Sequence, residues 1–560
     1  LTAFVALLIA LQHLTTWAAQ PDANQDARSA PAAAPGSGTG PPADPASDEE
    51  EDADASDVAL ATKDGEIDDS GLTEKEKKKR QALIKRLRKS GILCMGQFGT
   101  GGLVFNVNGD ASNAAIAELL KLDDVRSLQL LRGKYTADCL DTISQLKSLQ
   151  DLNLKDLAVD DSGLAKLSGL RALRMLGLRL AGSLTDEGLA QLKKMPLGTL
   201  RLSGVTDRIT EKGYQELASL PELGSLSLDG DSITDESLRR LSESKTLTEL
   251  TLSGKGFSDD GLKSLAAMEH LQRLTLTDER ITAEGIRHLS RAPQLKALSL
   301  LGCPKIDDSV LAAVGQMPAL EILAVVGGSL TDDGLAQLNA LIELRWLLLK
   351  SDTITGSGLA SLTDLRQLAV LSVTGASVSN EVFAHVSQFP KLQMLRVGTG
   401  KRGDKAAITE EGLKRIGNAP SLDRLTLVGV DIAEQGLQSL VDVPQLKALT
   451  FVDASDVEEE HPRFWDVAAQ RKKLAVEREA ADPAAAAERK RILALLSKQR
   501  AQIGGSLLDS QGMTIQIRDP ESNDETLALL EKLHNIRLLI LNPASYSDVG
   551  FASIARLTNL

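Results

Sequence analysis

Aromatic residues make up only 3% of this 560-residue chain. Ring stacking cannot build its core, so aliphatic side chains must fill it. Three cysteines, Cys94, Cys139 and Cys303, form neither a disulfide framework nor a metal-ligand spacing. Cys139 and Cys303 read as small buried hydrophobes. No two of the six histidines (His13, His270, His288, His385, His461 and His534) stand at ligand spacing. The sequence contains no Gly-x-Ser-x-Gly elbow and no Cys-x-x-Cys. Neither metal nor cofactor is expected, and no motif marks an enzyme. The apolar run at residues 3–11 is shorter than the roughly 20 residues a membrane span needs.

Basic surplus is also missing from most of the chain. The formal net charge of −14 divides unevenly. Residues 20–71 hold fourteen acidic groups, including the run Asp48–Asp57, against Arg28 and Lys63, and so carry −12. Residues 73–90 hold nine basic groups against Glu74 and Glu76, and so carry +7. The rest is only mildly acidic. Nucleic-acid binding by that part would need a clustered basic face, and none is seen.

What is present is a regular pulse of leucine. A Leu-x-x-Leu-x-Leu hexamer, with Val or Phe substitutions, starts at 149, 173, 197, 223, 247, 271, 295, 320, 344, 368, 392, 422 and 446. Most steps are 24 residues, and a related unit starts at Val125. In the unit starting at Leu173, alternation turns Leu176 and Leu178 inward and Met175, Gly177 and Arg179 outward on a short strand. Leu184-Thr-Asp-Glu-Gly-Leu189 then opens a helix. Thr185 can cap it, and Asp186 and Glu187 stand where the helix dipole favours negative charge. The same start recurs as Ile233-Thr-Asp-Glu-Ser-Leu238, Phe257-Ser-Asp-Asp-Gly-Leu262, Leu330-Thr-Asp-Asp-Gly-Leu335 and Ile408-Thr-Glu-Glu-Gly-Leu413. Acidic pairs repeated in nearly every unit read as caps, because a catalytic pair would occur once.

The pattern resembles the leucine-rich-repeat superfamily, in particular its cysteine-containing subtype, found beside F-boxes and in bacterial exported proteins. Leu298-Ser-Leu300-Leu-Gly-Cys303-Pro-Lys-Ile306-Asp-Asp matches that subtype best. The resemblance implies an α/β leucine-rich-repeat solenoid: a curved horseshoe with a concave parallel sheet and convex helices. The subtype's cysteine position holds Asp231, Lys255, Glu279, Gly328, Asp352 and Ala376 elsewhere, so no cysteine or asparagine ladder is expected along the turns. No F-box-like segment precedes the array, so a ubiquitin-ligase adaptor role is not carried over.

Six segments are expected. Residues 1–19 read as a signal-peptide-like segment, lacking a basic start and ending in small residues. An uncleaved anchor is the other reading, and it alone would bring a membrane partner. Either way export is expected: periplasmic, cell-surface or secreted. Residues 20–71 have the composition of a disordered acidic linker. Residues 72–100 hold a cap helix, with Thr73 and Glu76 as a capping box and Leu83, Ile84 and Leu87 as its apolar stripe. A membrane-surface helix is the alternative there; the cap is favoured because solenoid ends need covering. The repeats fill 101–455, and a charged helical linker with Phe464 and Trp465 fills 456–490. Residues 491–560 begin a second array, because Gly512 to Ile517 and Ile536 to Leu541 repeat the pattern of Gly102 to Val107 and Val125 to Leu130. The spacing predicts a further strand after Leu560.

Function is expected on the concave face. The units from 149 to 271 present mainly polar groups there, Arg201 and Arg273 among them. Those at 295, 320 and 344 present Ala297, Leu301, Ile322, Ala324, Val326, Trp346 and Leu348, followed by Val370 and Met394. Side chains on strands about 4.8 Å apart form one patch, and exposed apolar patches mark interaction sites. The expected activity is non-catalytic recognition of a protein or peptide, with Leu301, Ile322, Val326, Trp346, Leu348, Val370 and Met394 as anchors and Arg201 and Arg273 as rim. The alternative is a regulatory or inhibitory arm of a larger protein. The basic insertion at 398–405 lacks the spacing of a phosphate loop and reads as a protruding loop.

Overall fold

A computed structural model describes residues 72–97, 102–109, 111–131, 133–180, 184–277, 280–399 and 406–430, with shorter stretches from 432 to 554 that hold the elements named below. The segments 1–19 and 20–71 and most of the 398–405 loop lie outside the described residues. The chain forms two compact units, divided between Leu271 and Gln272.

In the first unit a 16-residue helix, α1 (Glu74–Lys89), leads the repeats. Its capping box forms as the sequence predicts: the Thr73 hydroxyl accepts from the Glu76 N–H, and the Glu76 carboxylate accepts from the Thr73 N–H. Leu83 and Leu87 are buried beneath it, and Arg80 pairs with Asp124 at 2.5 Å. Two strands follow, β1 (Ile92–Gln97) and β2 (Leu103–Val107), which pair antiparallel. From β2 onward every neighbour is parallel: β3 (Val125–Leu130), β4 (Asp151–Ala158), β5 (Met175–Arg179), β6 (Thr199–Ser203), β7 (Ser225–Asp229) and β8 (Glu249–Ser253). Short helices such as Asp161–Leu167, Glu211–Ala218 and Asp235–Leu241 return the chain each time.

The second unit repeats this plan in β9 (Arg273–Thr277), β10 (Ala297–Leu301), β11 (Ile322–Val326), β12 (Trp346–Lys350), β13 (Val370–Thr374), β14 (Met394–Gly398), β15 (Arg424–Val428) and β16 (Ala448–Val452), all parallel. Its helical side changes character along the chain. Asp308–Val314 is α-helical, but Gly334–Ala340 and Ser357–Ser361 are 3-10 turns. In each unit the strands form the concave side and the helices the convex side, because a helix is wider than the strand spacing. The expected α/β solenoid is what the structure shows.

The sequence reads 456–490 as helical, but Arg463–Trp465 is a strand, β17, antiparallel to β16. It satisfies backbone groups that the last parallel strand would otherwise leave open. Beyond it a helix, Pro483–Lys498, precedes a separate sheet of β18 (Ala501–Gly504), β19 (Met513–Ile517) and β20 (Ile536–Leu541). The first of its pairings is antiparallel and the second parallel, the same order as β1, β2 and β3. The register slips at the first residue pair in both parallel joints, Leu103/Val104 and Met513/Thr514. Ile492, Leu496, Ile515, Ile517, Leu527 and Leu530 form the core of this sheet.

The core of each repeat is a layer of inward leucines. Leu200, Leu202, Leu226, Leu228, Leu250 and Leu252 are all 2% exposed or less. Cys139 and Cys303 are buried as expected, and burial pushes the Cys139 thiol up to about 12.

The aspartate that opens several of the helices does more than favour the dipole. Asp161 accepts both the backbone N–H of Thr185 (2.8 Å) and its hydroxyl (2.7 Å), one repeat further on. Asp186 does the same to Thr210, Asp235 to Ser258 and Asp308 to Thr331. Asn113 and Asn380 replace the carboxylate with an amide and still hold Thr136 and Thr409. A polar ladder therefore does run through the repeats, chiefly at the helix starts; at the cysteine position Asp231 and Asp352 accept from the backbone N–H of Lys255 and Ala376 in the next repeat. It also accounts for the glycine in the Thr-Asp-x-Gly-Leu motif. A Cβ on Gly188 or Gly213 would overlap the carboxylate of Asp161 or Asp186.

Candidate functional site

Each strand presents three outward positions, and the parallel register lines them into rows. In the first unit the middle row runs Gln129, Asn153, Gly177, Arg201, Ser227, Thr251. Gly177 contributes no side chain between Asn153 and Arg201. The gap is the floor of a cleft of about 160 Å³, lined by Asn153, Arg201, Ser227, Asp229, Thr251 and Ser253 among others. Arg201 is exposed, and among the described residues it makes no salt bridge or hydrogen bond.

Two half-buried carboxylates flank this row. Burial pushes the Asp151 carboxyl above its ordinary value, although the Ser127 hydroxyl and the charge of Arg201 pull the other way. Burial also raises Asp229, against hydrogen bonds from Ser253 and from the Gly204 N–H. Sequence alternation identifies the polar character of this face. It does not identify the cleft, whose only signal is a glycine at the exposed centre of a strand, Leu176-Gly177-Leu178.

In the second unit the first row runs Arg273, Ala297, Ile322, Trp346, Val370, Met394, Arg424. The middle row runs Thr275, Ser299, Ala324, Leu348, Ser372, Arg396. The third includes Leu301, Val326, Lys350 and Thr374. Register therefore brings Ile322, Trp346, Val370 and Met394 into one line, with Leu348 and Val326 beside it. All six are half-buried, and Arg273 is exposed at the head of the line. Arg201 belongs to the first unit and lines the cleft there.

Leu301 departs from the expectation. It lies on the outward face but is only 3% exposed, and Ala297, Ser299 and Ala324 are buried with it. Alternation fixes which way a side chain turns, not whether water reaches it. On a face with neighbours about 4.8 Å to either side, small residues such as Ser299 and Ala324 are covered by the larger chains beside them. The accessible part of the patch is thus a line over β11 to β14, not a broad field starting at β10.

A strand, a turn and a helix repeat about every 24 residues around stacked inward leucines. The fold is a leucine-rich-repeat solenoid. No family model matches the chain, and no curated protein matches it. Three solved structures resemble it. An internalin of Listeria monocytogenes is 18% identical, with 66% of this chain and 92% of that one covered and a TM-score of 0.34. A leucine-rich-repeat protein of Leptospira interrogans is 19% identical, with 59% and 91% covered and a TM-score of 0.29. The yeast Rad7–Elc1 complex is 16% identical, with 58% and 81% covered and a TM-score of 0.38. These likenesses say nothing of partner or activity. Among the described residues no group of His, Cys, Asp and Glu is placed to hold a metal, and no helix is long and apolar enough to cross a membrane.

Proposed function

We propose that this chain is a non-catalytic recognition protein that seats a protein or peptide on the strand face of its repeats. The observation that carries this reading is the in-register line Ile322, Trp346, Val370, Met394, half-exposed on one face of the second unit. Tryptophan is enriched among residues that dominate binding energy. Val326 and Leu348 widen the contact, Arg273 forms its rim, and the buried Leu301 packs beside Val326 in the third row. Arg201 supplies a separate polar contact at the cleft of the first unit. The repeats belong to the cysteine-containing subtype in this reading, on their Ile-Thr-Asp-x-Gly-Leu starts. The protein is exported, on the apolar run at residues 3–11.

The test places a photo-reactive residue at Val370 in the full chain and compares it with the same chain carrying Trp346→Asp. The expected result is a discrete crosslinked partner that disappears in the variant while the thermal melt stays in place. A partner that survives Trp346→Asp with the fold intact would sink the reading. A second reading, one arm of a larger protein, is favoured by the second sheet, β18 to β20, which repeats the strand order of the first opening.

A further inference from the structure

The solvent side of α1 carries more positive charge than a cap requires. Lys75, Lys78, Lys79, Lys85, Arg86, Arg88 and Lys89 are all exposed. At 3.6 residues per turn, Lys75, Lys78, Lys79, Ala82, Lys85, Arg86 and Lys89 share one stripe about 20 Å long. The opposite side holds Leu83 and Leu87, which are buried, and Arg80, which pairs with Asp124. Lys77 is engaged by Glu74 and Arg86 by Glu118. Among the described residues, Lys75, Lys78, Lys79, Lys85 and Lys89 make no salt bridge.

We propose that this lysine stripe is the docking surface for the chain's own acidic run, Asp48–Asp57. That run carries seven carboxylates in ten residues. Sixteen residues, 58–73, connect it to the start of α1. Extended, they span at most about 55 Å, more than twice the length of the stripe, so the run can reach every lysine. Connection through the same chain sets an effective concentration on the order of millimolar. Even weak ion pairing is populated under those conditions. An anionic lipid surface fits less well. A helix lying in a membrane needs an apolar face for the lipid, and here Leu83 and Leu87 are already committed to the repeats. The acidic run therefore acts as a built-in competitor that keeps external polyanions off α1. Pairing of exposed charges weakens as salt shortens the screening length from about 10 Å at 0.1 M to about 3 Å at 1 M, so the stripe opens at high salt.

Zero-length carbodiimide coupling of the full chain, followed by peptide mass mapping, tests this. At low salt, links are expected from the carboxylates of Asp48–Asp57 to Lys75, Lys78, Lys79, Lys85 or Lys89, within one molecule. They should vanish at about 1 M salt, while the Glu118–Lys121 contact still couples as an internal control. A mixture of isotope-labelled and unlabelled chains separates links within a molecule from links between molecules. In a second arm, the quadruple variant E49Q/E50Q/E51Q/D52N should bind soluble polyglutamate at least about twofold more tightly than the unaltered chain at low salt, because a competitor at millimolar effective concentration has been removed. If Glu118–Lys121 couples but the acidic run does not reach α1, or couples only between molecules, the proposal is wrong. Equal polyglutamate binding by the two chains also overturns it.

Discussion

The strand faces of the two units are built on the same leucine layers and yet treat solvent differently. In the first unit the outward rows carry Asp151, Asn153, Arg201, Ser227, Asp229 and Glu249, all at least partly open to water. In the second, the whole of β10 is buried, and a half-buried apolar line follows across β11 to β14. The inward residues scarcely differ: Leu250 and Leu252 in one unit and Leu298 and Leu300 in the other are all fully buried. The scaffold is thus indifferent to what the outward positions carry. Those positions are free to form a polar cleft in one place and an apolar line in another.

The largest expected effect tests the shared scaffold. Leu250→Ala and Leu300→Ala should each destabilise the protein by about 2–5 kcal/mol, the range for emptying a close-packed leucine site. Urea titration followed by circular dichroism would measure both. A large loss at one site with little at the other would break the claim that the layers are equivalent.

Next comes the contrast between the faces. Leu301→Ser should cost about 2–4 kcal/mol, as a buried truncation does. Ser203→Ala, at the same position of a first-unit strand, should cost no more than about 0.5 kcal/mol. Similar small losses at both would mean that β10 is open to water after all.

Titration should divide the regions by sign. Burial alone would raise the Asp332 carboxyl. The Thr355 hydroxyl and the N–H groups of Gly358, Thr355 and Gly356 outweigh that and hold it below its ordinary value. Its stabilising effect is present above the unfolded-state value and is lost as pH falls through the lower folded-state value. Asp151 and Asp229 are raised, so they oppose folding once ionised, and their penalty is relieved as pH falls through their raised values. Thermal melts across acidic pH should therefore show Asp332→Asn weakening the protein most at neutral pH. Asp151→Asn and Asp229→Asn should remove a gain seen on mild acidification. The same sign for all three would refute the assignment.

A small effect is expected at the cleft. A Cβ on Gly177 would stand 3.0 Å from Asn153 Oδ1, the far end of a side chain that can move. Gly177→Ala should shift stability by less than about 1 kcal/mol while narrowing the cleft. A larger loss on melting would show that the gap is needed for folding and is not a spare opening.

Much of the fold is legible without coordinates. The strand centres fall where the hexamers place them, because alternation with period two leaves no second register that keeps the leucines inside. Thr185, Thr210 and Thr234 cap their helices as the local motif implies. The forward reach of Asp186 to Thr210 is not legible, because the partner lies 24 residues away and meets it only when repeats stack. Nor is the change from α-helix to 3-10 turn. Thr234-Asp-Glu-Ser-Leu and Thr331-Asp-Asp-Gly-Leu differ little in sequence, yet the first opens the α-helix Asp235–Leu241 and the second the 3-10 turn Gly334–Ala340. At the candidate site, alternation assigns Ile322, Trp346, Val370 and Met394 to one face, and register then aligns them. The burial of Leu301 and the gap over Gly177 depend on neighbours in other repeats.

The sequence by itself determined the repeat, its inward leucines and the direction of every outward side chain, because these follow from local periodicity. Tertiary structure alone decided which outward residues meet water, what each helix-opening carboxylate holds, and where the sheet opens into a cleft. Those are properties of side chains about 24 positions apart, which only the stacking of repeats brings within contact.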